Sequence, residues 1–169
     1  MNIKSVKNKT EGVTLIALTI TIIVLSILAG ITIYSGKDTI KKAKLEELKT
    51  NMLLIKAKAR EYVEDANFKM GINPDDTKKS SVRDEVYITN AQLQKADDSE
   101  VSSLGITDAT TCYWLTAEAQ ESWGLEKIEL KDNERYLIQF DETNVTVEVY
   151  NTEGYDGKYS LTEIEQIQE

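Results

Sequence analysis

The sequence contains no histidine and only one cysteine among its 169 residues. Without histidine the chain lacks the commonest general base and zinc ligand, which excludes serine–histidine and cysteine–histidine catalysis. The single cysteine, Cys112, cannot form an internal disulfide, so we expect a small core residue in a fold held together by packing. Glycine-rich phosphate loops, CxxC pairs and spaced catalytic carboxylates are absent from the sequence as well. We therefore expect a protein that is not an enzyme and that needs no cofactor.

Negative charge dominates all but the beginning of the chain. Residues 1–12 carry a net charge of +2 and the remaining residues carry −11, which together give the total of −9. An acidic body repels nucleic acid, and no basic patch with interleaved aromatic residues is present, so we expect no direct nucleic-acid binding. The acidic clusters at 75–76, at 97–98 with Glu100, and at 132–134 lack the spacing of a calcium loop and predict solvated turns rather than a metal site.

An uncharged segment of 25 residues lies between Glu11 and Lys37. As a helix it would extend about 37 Å at 1.5 Å per residue, and a hydrocarbon core is about 30 Å thick, so the segment predicts a membrane span. A cleaved secretory signal fits poorly because the apolar run is too long and no clear small-x-small pair follows it. A retained signal anchor and a signal that is cut before the span both remain. Lysines on both sides leave the orientation open.

The residues around Gly12 bear on whether the signal is retained or is cut before the span, because a charged stretch, a glycine and an apolar segment follow one another in that order. Lys9-Thr10-Glu11-Gly12 is followed by Val13-Thr14-Leu15-Ile16-Ala17 and then by a threonine-dotted isoleucine run. This stretch resembles the type IV pilin family, in particular a Gram-positive subset that reads G-[IV]-T-L-I-A-L. The resemblance implies that a prepilin peptidase cuts between Gly12 and Val13. It further implies that Thr14, Leu15, Ile16 and Ala17 pack in the membrane and in a filament.

The chain departs from the family pattern at two positions. Val13 replaces the usual phenylalanine, which keeps an apolar residue after the glycine. Ala17 replaces the usual glutamate, whose carboxylate pairs with the N-terminal ammonium of a neighbouring subunit and so offsets the cost of an ammonium in hydrocarbon. Three interpretations of Ala17 stay open: a minor or tip subunit, a filament that neutralises the amine differently, or a leader that is never removed.

A second helical pattern follows the uncharged segment. Apolar residues recur at intervals of three and four while lysines and glutamates occupy the other faces, which predicts an amphipathic helix that ends near 67–70, before Gly71 and Pro74. We expect this helix to dock on a globular head rather than to form a coiled coil. The stem seam consists of Leu45, Leu48, Met52, Ile55, Ala59, Tyr62 and Ala66.

The remaining residues predict a small head. Residues 72–82 are polar and without periodicity, which indicates a loop. Capping signals predict short helices at 98–104, at 117–123 and after Ser160, and alternating residues predict strands. We expect a strand at 113–115, a three-stranded meander formed by 127–131, 135–141 and 145–150, each strand with one apolar face, and a loop at 154–159.

Together these observations predict an α+β, pilin-like fold. A long N-terminal helix, transmembrane and then amphipathic, packs on a small antiparallel meander with short helices. The expected parts are a leader at 1–12, a membrane half of the stem at 13–36, an amphipathic half at 37–70 and an acidic head at 71–169 with its sheet at about 127–150.

The resemblance implies a structural subunit of a type IV pilus or of a secretion- or competence-type filament. Its partners would be other subunits in a helical homo- or hetero-polymer, the prepilin peptidase, the membrane and the pilus assembly machinery. The chain would lie in the cytoplasmic membrane before assembly and in an extracellular filament afterwards. The alternative is an unprocessed, signal-anchored surface protein whose acidic head binds a partner.

Overall fold

The computed structural model describes the backbone of residues 10–167 and the side chains of residues 18–26 and 39–167. The first helix, α1, spans Thr10–Met70. The chain divides into two compact units, Met1–Lys44 and Leu45–Glu169. In the part of the chain that is described, no helix offers an apolar stretch long enough to cross a membrane.

In the first unit, the described side chains belong to α1. The Thr21 hydroxyl donates to the Leu18 carbonyl and the Ser26 hydroxyl to the Ile22 carbonyl, each at 2.8 Å. Both hydroxyls therefore donate within their own helix.

The second unit combines the end of α1 with four short α-helices, a π-helical turn, a 3-10 turn and five strands. The strands form one antiparallel sheet in the order β1-β2-β3-β4-β5, so each pairs with its neighbour in sequence. The long helix and the antiparallel sheet establish the α+β class. The elements are α2 (Asp76–Arg83), the π-helical turn (Asp84–Asn90), β1 (Gln94–Lys95), α3 (Asp98–Val101), the 3-10 turn (Ser102–Leu104), β2 (Cys112–Trp114), α4 (Ala117–Ser122), β3 (Tyr136–Asp141), β4 (Thr146–Tyr155), β5 (Lys158–Ser160) and α5 (Leu161–Glu165).

Local capping signals located the helix ends well. Helix α1 ends at Met70, and Gly71 follows with a φ of 69°, in the left-handed region that glycine adopts readily. Capping boxes open α3 and α5, with the Glu100 carboxylate accepting from the Asp97 N–H and the Glu163 N–H donating to the Ser160 hydroxyl. The helices expected at 98–104, 117–123 and after Ser160 are confirmed.

The loop expected at 72–82 is wrong from residue 76 onward, where α2 begins. Asp75 caps this helix by accepting a 2.7 Å hydrogen bond from the Lys78 N–H. Val82 is the one apolar residue of α2 and the one that is buried, so the helix has no apolar periodicity that its sequence could show. The cap, together with Arg83 at the other end, stabilises a helix that hydrophobic patterning cannot reveal.

The strand expected at 127–131 is also wrong. The place beside β3 is taken by β2, with Tyr113 paired to Ile138. Ile128 is buried, but its carbonyl accepts a 2.6 Å hydrogen bond from the Gln120 side chain, and Leu130 is 41% exposed. The alternating apolar residues at 127–131 therefore lie in an irregular segment. Alternation alone does not produce a strand, because a strand also needs a free sheet edge with which to pair.

The sheet therefore reaches well beyond 127–150. It extends from Gln94 in β1 to Ser160 in β5, and the loop expected at 154–159 is instead a hairpin. Asp156 and Gly157 connect β4 to β5 with φ values of 51° and 73°. Positive φ at both central residues is the requirement of a type I′ turn, for which Asp-Gly is a favoured sequence.

Both faces of β3 are buried, whereas a single apolar face was expected. Tyr136, Ile138 and Phe140 belong to the core that contains α1, and Leu137 packs in a second cluster with Val101. Helix α3 and its following turn cover this second face. Along β4, Val147 and Val149 are buried as expected, whereas Val145 precedes the strand with a φ of 53°.

Candidate functional site

The residues of the predicted processing site belong to the first turns of α1. Gly12, Val13, Thr14, Leu15, Ile16 and Ala17 fall within Thr10–Met70, and their side chains lie outside the described residues. The peptidase site and its packing residues thus stay predictions.

The stem seam faces the core of the second unit. Leu45, Met52, Ile55, Ala59 and Ala66 are buried, and Leu48 and Tyr62 are half-buried and pack against the same cluster. The same cluster contains residues of β3, β4 and α5, among them Ile138, Val149 and Ile164. From Leu45 onward, α1 is therefore an integral part of the head's core.

Two further residues of α1 belong to this face and were not in the predicted seam. Val63 is fully buried and Met70 is 5% exposed. Val63 follows Ala59 by four positions, and Met70 follows Ala66 by four. The same three-and-four spacing that selected the seam could have found both residues.

Aromatic stacking strengthens the contact between α1 and the head. The rings of Tyr62 and Trp123 stack with centroids 5.2 Å apart and planes inclined by 21°. Deeper in the core, Tyr87 stacks on Phe140 at 4.0 Å, and Tyr113 packs against both rings. Burial raises the pKa of Tyr87 and of Tyr113 above the ordinary range, so both phenols stay neutral.

Glu142, in the turn after β3, connects three parts of the head. Its carboxylate receives two hydrogen bonds from Arg83, and the Tyr87 hydroxyl lies 3.5 Å from its Oε1. The Asn67 side chain, near the end of α1, donates to its main-chain carbonyl. One turn residue thereby fixes the hairpin β3–β4 to both α1 and α2. Sequence spacing gave no signal for this cluster.

Beside this cluster lies a groove with a volume of about 820 Å³. One wall is the exposed side of α1 around Leu53 and Ala57, and the other is the beginning of β4 at Thr146–Glu148. Lys56 and Arg60 stand on the α1 wall. The α1 wall thus combines an apolar surface with a cationic rim, whereas Asp141, Glu142 and Glu148 line the opposite side.

The remaining candidates have structural roles. Cys112 is fully buried, and its pKa is raised to about 12, first by burial and then by Asp108 and Asp98, so its thiol is inert. Its assignment as a core residue is confirmed. Among the described residues, no cluster of three or more potential metal ligands is found. Of the acidic pairs, Asp75 and Asp97 start helices, and Glu134 holds the buried Asn151 at 2.8 Å.

No family model, curated protein or solved structure matches this chain.

Proposed function

We propose that this protein is a structural subunit of a type IV pilus or a related pilus-like filament. The observation that carries the proposal is the order of parts along one chain. A basic leader ends at Gly12, 25 residues without charge begin there, and the same helix continues into a seam buried against an acidic head. A cut after Gly12 removes the charges of the leader and leaves the apolar segment on the product.

The construction of the head supports this proposal. From Leu45 onward, α1 supplies part of the head's core, so the end of the stem helix is folded into the head. A filament subunit needs such a connection between its stem and its surface-exposed part.

Processing by a prepilin peptidase gives the direct test. The full-length chain is produced in membranes with and without a co-expressed prepilin peptidase, and its intact mass is measured. We expect a product that begins at Val13, and we expect Gly12→Val to block the cut. Gly36→Val is the matched control, since it makes the same change far from the junction and leaves the cut in place.

The second candidate is an unprocessed, signal-anchored surface protein, and Ala17 favours it because no carboxylate is available to pair with a new N-terminal ammonium. Under this alternative the mass corresponds to a chain from Met1, even where the peptidase cuts a known prepilin in the same cells. That result would overturn the filament proposal.

A filament also needs contacts between subunits. Cysteine pairs placed on the apolar segment, for example at Leu18 and Leu25, should crosslink into ladders in surface-sheared material from cells with the assembly machinery. Monomers alone in that material, together with a correctly cut chain, would restrict the proposal to a minor subunit.

A further inference from the structure

The first four residues of β4 pair on one side only. β3 pairs with β4 from Tyr136 to Asp141, whereas β5 pairs with β4 only between Tyr150 and Tyr155. The outer edge of Thr146–Val149 therefore has no strand partner among the described residues. Such an edge is a ready acceptor for another extended segment.

The register shows which backbone groups point outward. The Phe140 N–H donates to the Thr111 carbonyl at 3.0 Å, so Phe140 directs its backbone polar groups away from β4. In an antiparallel pair, the residue opposite then directs its own groups away as well. Val147 is opposite Phe140, so its N–H and C=O face the open edge.

This open edge lines the groove, and α1 forms the facing wall. Leu53 is 46% exposed and Ala57 lies one helical turn further, which provides an apolar surface beside the free backbone groups. Backbone donors and acceptors beside an apolar surface are the features with which sheet edges bind extended peptides.

The two walls of the groove differ in charge: Lys56 and Arg60 stand on α1, whereas Asp141, Glu142 and Glu148 line the side of β3 and β4. An acidic segment therefore fits against the α1 wall. Of the carboxylates on the other side, Glu142 is paired with Arg83. Glu148 accepts from the Thr162 N–H and hydroxyl at 2.8 Å each, and Asp141 accepts from the backbone of the turn that follows it, so hydrogen bonds hold both in place. The two cations on α1 have only long ion pairs. Lys56 Nζ lies 3.9 Å from Glu148 and Arg60 Nε lies 3.6 Å from Glu64.

We propose that this groove binds an extended, acidic peptide segment of a partner protein as an added strand on β4. Its backbone pairs with the N–H and C=O of Val147, its apolar side chains cover Leu53 and Ala57, and its carboxylates pair with Lys56 and Arg60. The proposal concerns the head alone and does not depend on processing at Gly12.

The test uses the detergent-solubilised full chain and a blocked eight-residue peptide of alternating glutamate and valine. We expect saturable binding by calorimetry, together with slower hydrogen exchange at the Val147 amide. A peptide with lysine in place of glutamate should bind more weakly, because it presents like charges to the rim. Equal binding of both peptides would overturn the acidic assignment.

Variants locate the site. The double variant Lys56→Gln with Arg60→Gln should weaken binding roughly fivefold or more, since two ion pairs are lost. Lys58→Gln is the matched control, because Lys58 is exposed on α1 and does not line the groove. Equal weakening by both would show that only general charge matters, and would overturn the site.

The strand geometry is tested separately with glutarate and with a backbone-N-methylated form of the same acidic peptide. We expect both to bind much more weakly than the parent peptide. If either binds as tightly, the groove recognises carboxylates without strand pairing, and the added strand is refuted. Absence of any binding by the parent peptide at millimolar concentration refutes the whole proposal.

Discussion

Arg83 holds Glu142 with two hydrogen bonds, 2.8 Å from Nε to Oε1 and 3.2 Å from Nη2 to Oε2. The two side chains are only 16% and 11% exposed. A planar guanidinium matches a carboxylate in this paired geometry, which fixes orientation as well as distance. The pKa of Arg83 is raised, first by the hydrogen bond to Glu142. This contact joins α2 to the hairpin β3–β4 through two residues that are 59 positions apart in sequence.

Removal of one partner of this pair should be costly. We expect Glu142→Gln to lower the free energy of unfolding by about 2–3 kcal/mol, because Arg83 is then left buried without its charge partner. Urea unfolding followed by near-ultraviolet circular dichroism measures the loss. Arg60→Gln is the control, since the Arg60–Glu64 pair is 69% and 61% exposed and should contribute less than about 1 kcal/mol.

A double-mutant cycle decides whether the pair acts as a unit. Arg83→Gln combined with Glu142→Gln should cost clearly less than the sum of the single changes, because the second change leaves no buried charge unpaired. Additive costs would mean that the two hydrogen bonds do not contribute jointly to stability.

Neighbouring residues of α1 should respond very differently to truncation. Ile55 is fully buried in the core, whereas Leu54 is 48% exposed. We expect Ile55→Ala to cost about 3 kcal/mol through lost burial and a cavity, and Leu54→Ala to cost less than about 1 kcal/mol. Thermal and urea unfolding of the two variants provide the comparison. Similar losses at both positions would contradict the docking of the seam on the sheet.

Two glycines of the β4–β5 hairpin give a test of local packing. A Cβ on Gly154 would lie 2.2 Å from the Lys158 carbonyl oxygen, whereas nothing lies within 4 Å of a Cβ on Gly157. Both residues have positive φ, so alanine costs about 1–2 kcal/mol at either position. We expect Gly154→Ala to cost at least about 2 kcal/mol more than Gly157→Ala, because the clash with backbone cannot relax. Equal melting temperatures would contradict the close approach.

Acid should weaken the contact between Glu100 and Trp114. The Trp114 Nε1–H donates to Glu100 Oε2 at 2.9 Å, and this bond is the main reason that the pKa of Glu100 lies below its usual value. A carboxyl whose folded pKa is depressed contributes stability above its unfolded pKa and loses it as pH falls through the folded value.

We therefore expect stability to fall between about pH 5 and pH 3, and Glu100→Gln to reduce that fall while lowering stability at pH 7. Urea unfolding across this range measures the change. Glu126→Gln is a suitable control, since no hydrogen bond or ion pair involving Glu126 is found in the described chain. An identical acid dependence of Glu100→Gln and the unmodified protein would refute the role of this contact.

Signals within a few residues of each other were sufficient for the helices. The spacing from Leu45 to Ala66, the stop at Gly71 and the capping box of Ser160 with Glu163 each depend on contacts within one or two turns, which the sequence contains in full. The strands were harder. Alternation at 127–131 resembled a strand, and the Asp156-Gly157 turn was overlooked although its sequence favours a hairpin.

The sequence by itself determined the class of the fold, the buried face of α1 and the place of Cys112 in the core. Only the tertiary structure decided which strands pair, that α2 forms at all, and that Arg83 meets Glu142. Which segment pairs with the edge of β3 is not a local property of the sequence, because its partner β2 lies more than twenty residues before it. A polar helix such as α2 gains its stability from a cap and from one distant ion pair. Periodicity records which face of a segment is buried, and it does not record the partner that buries it.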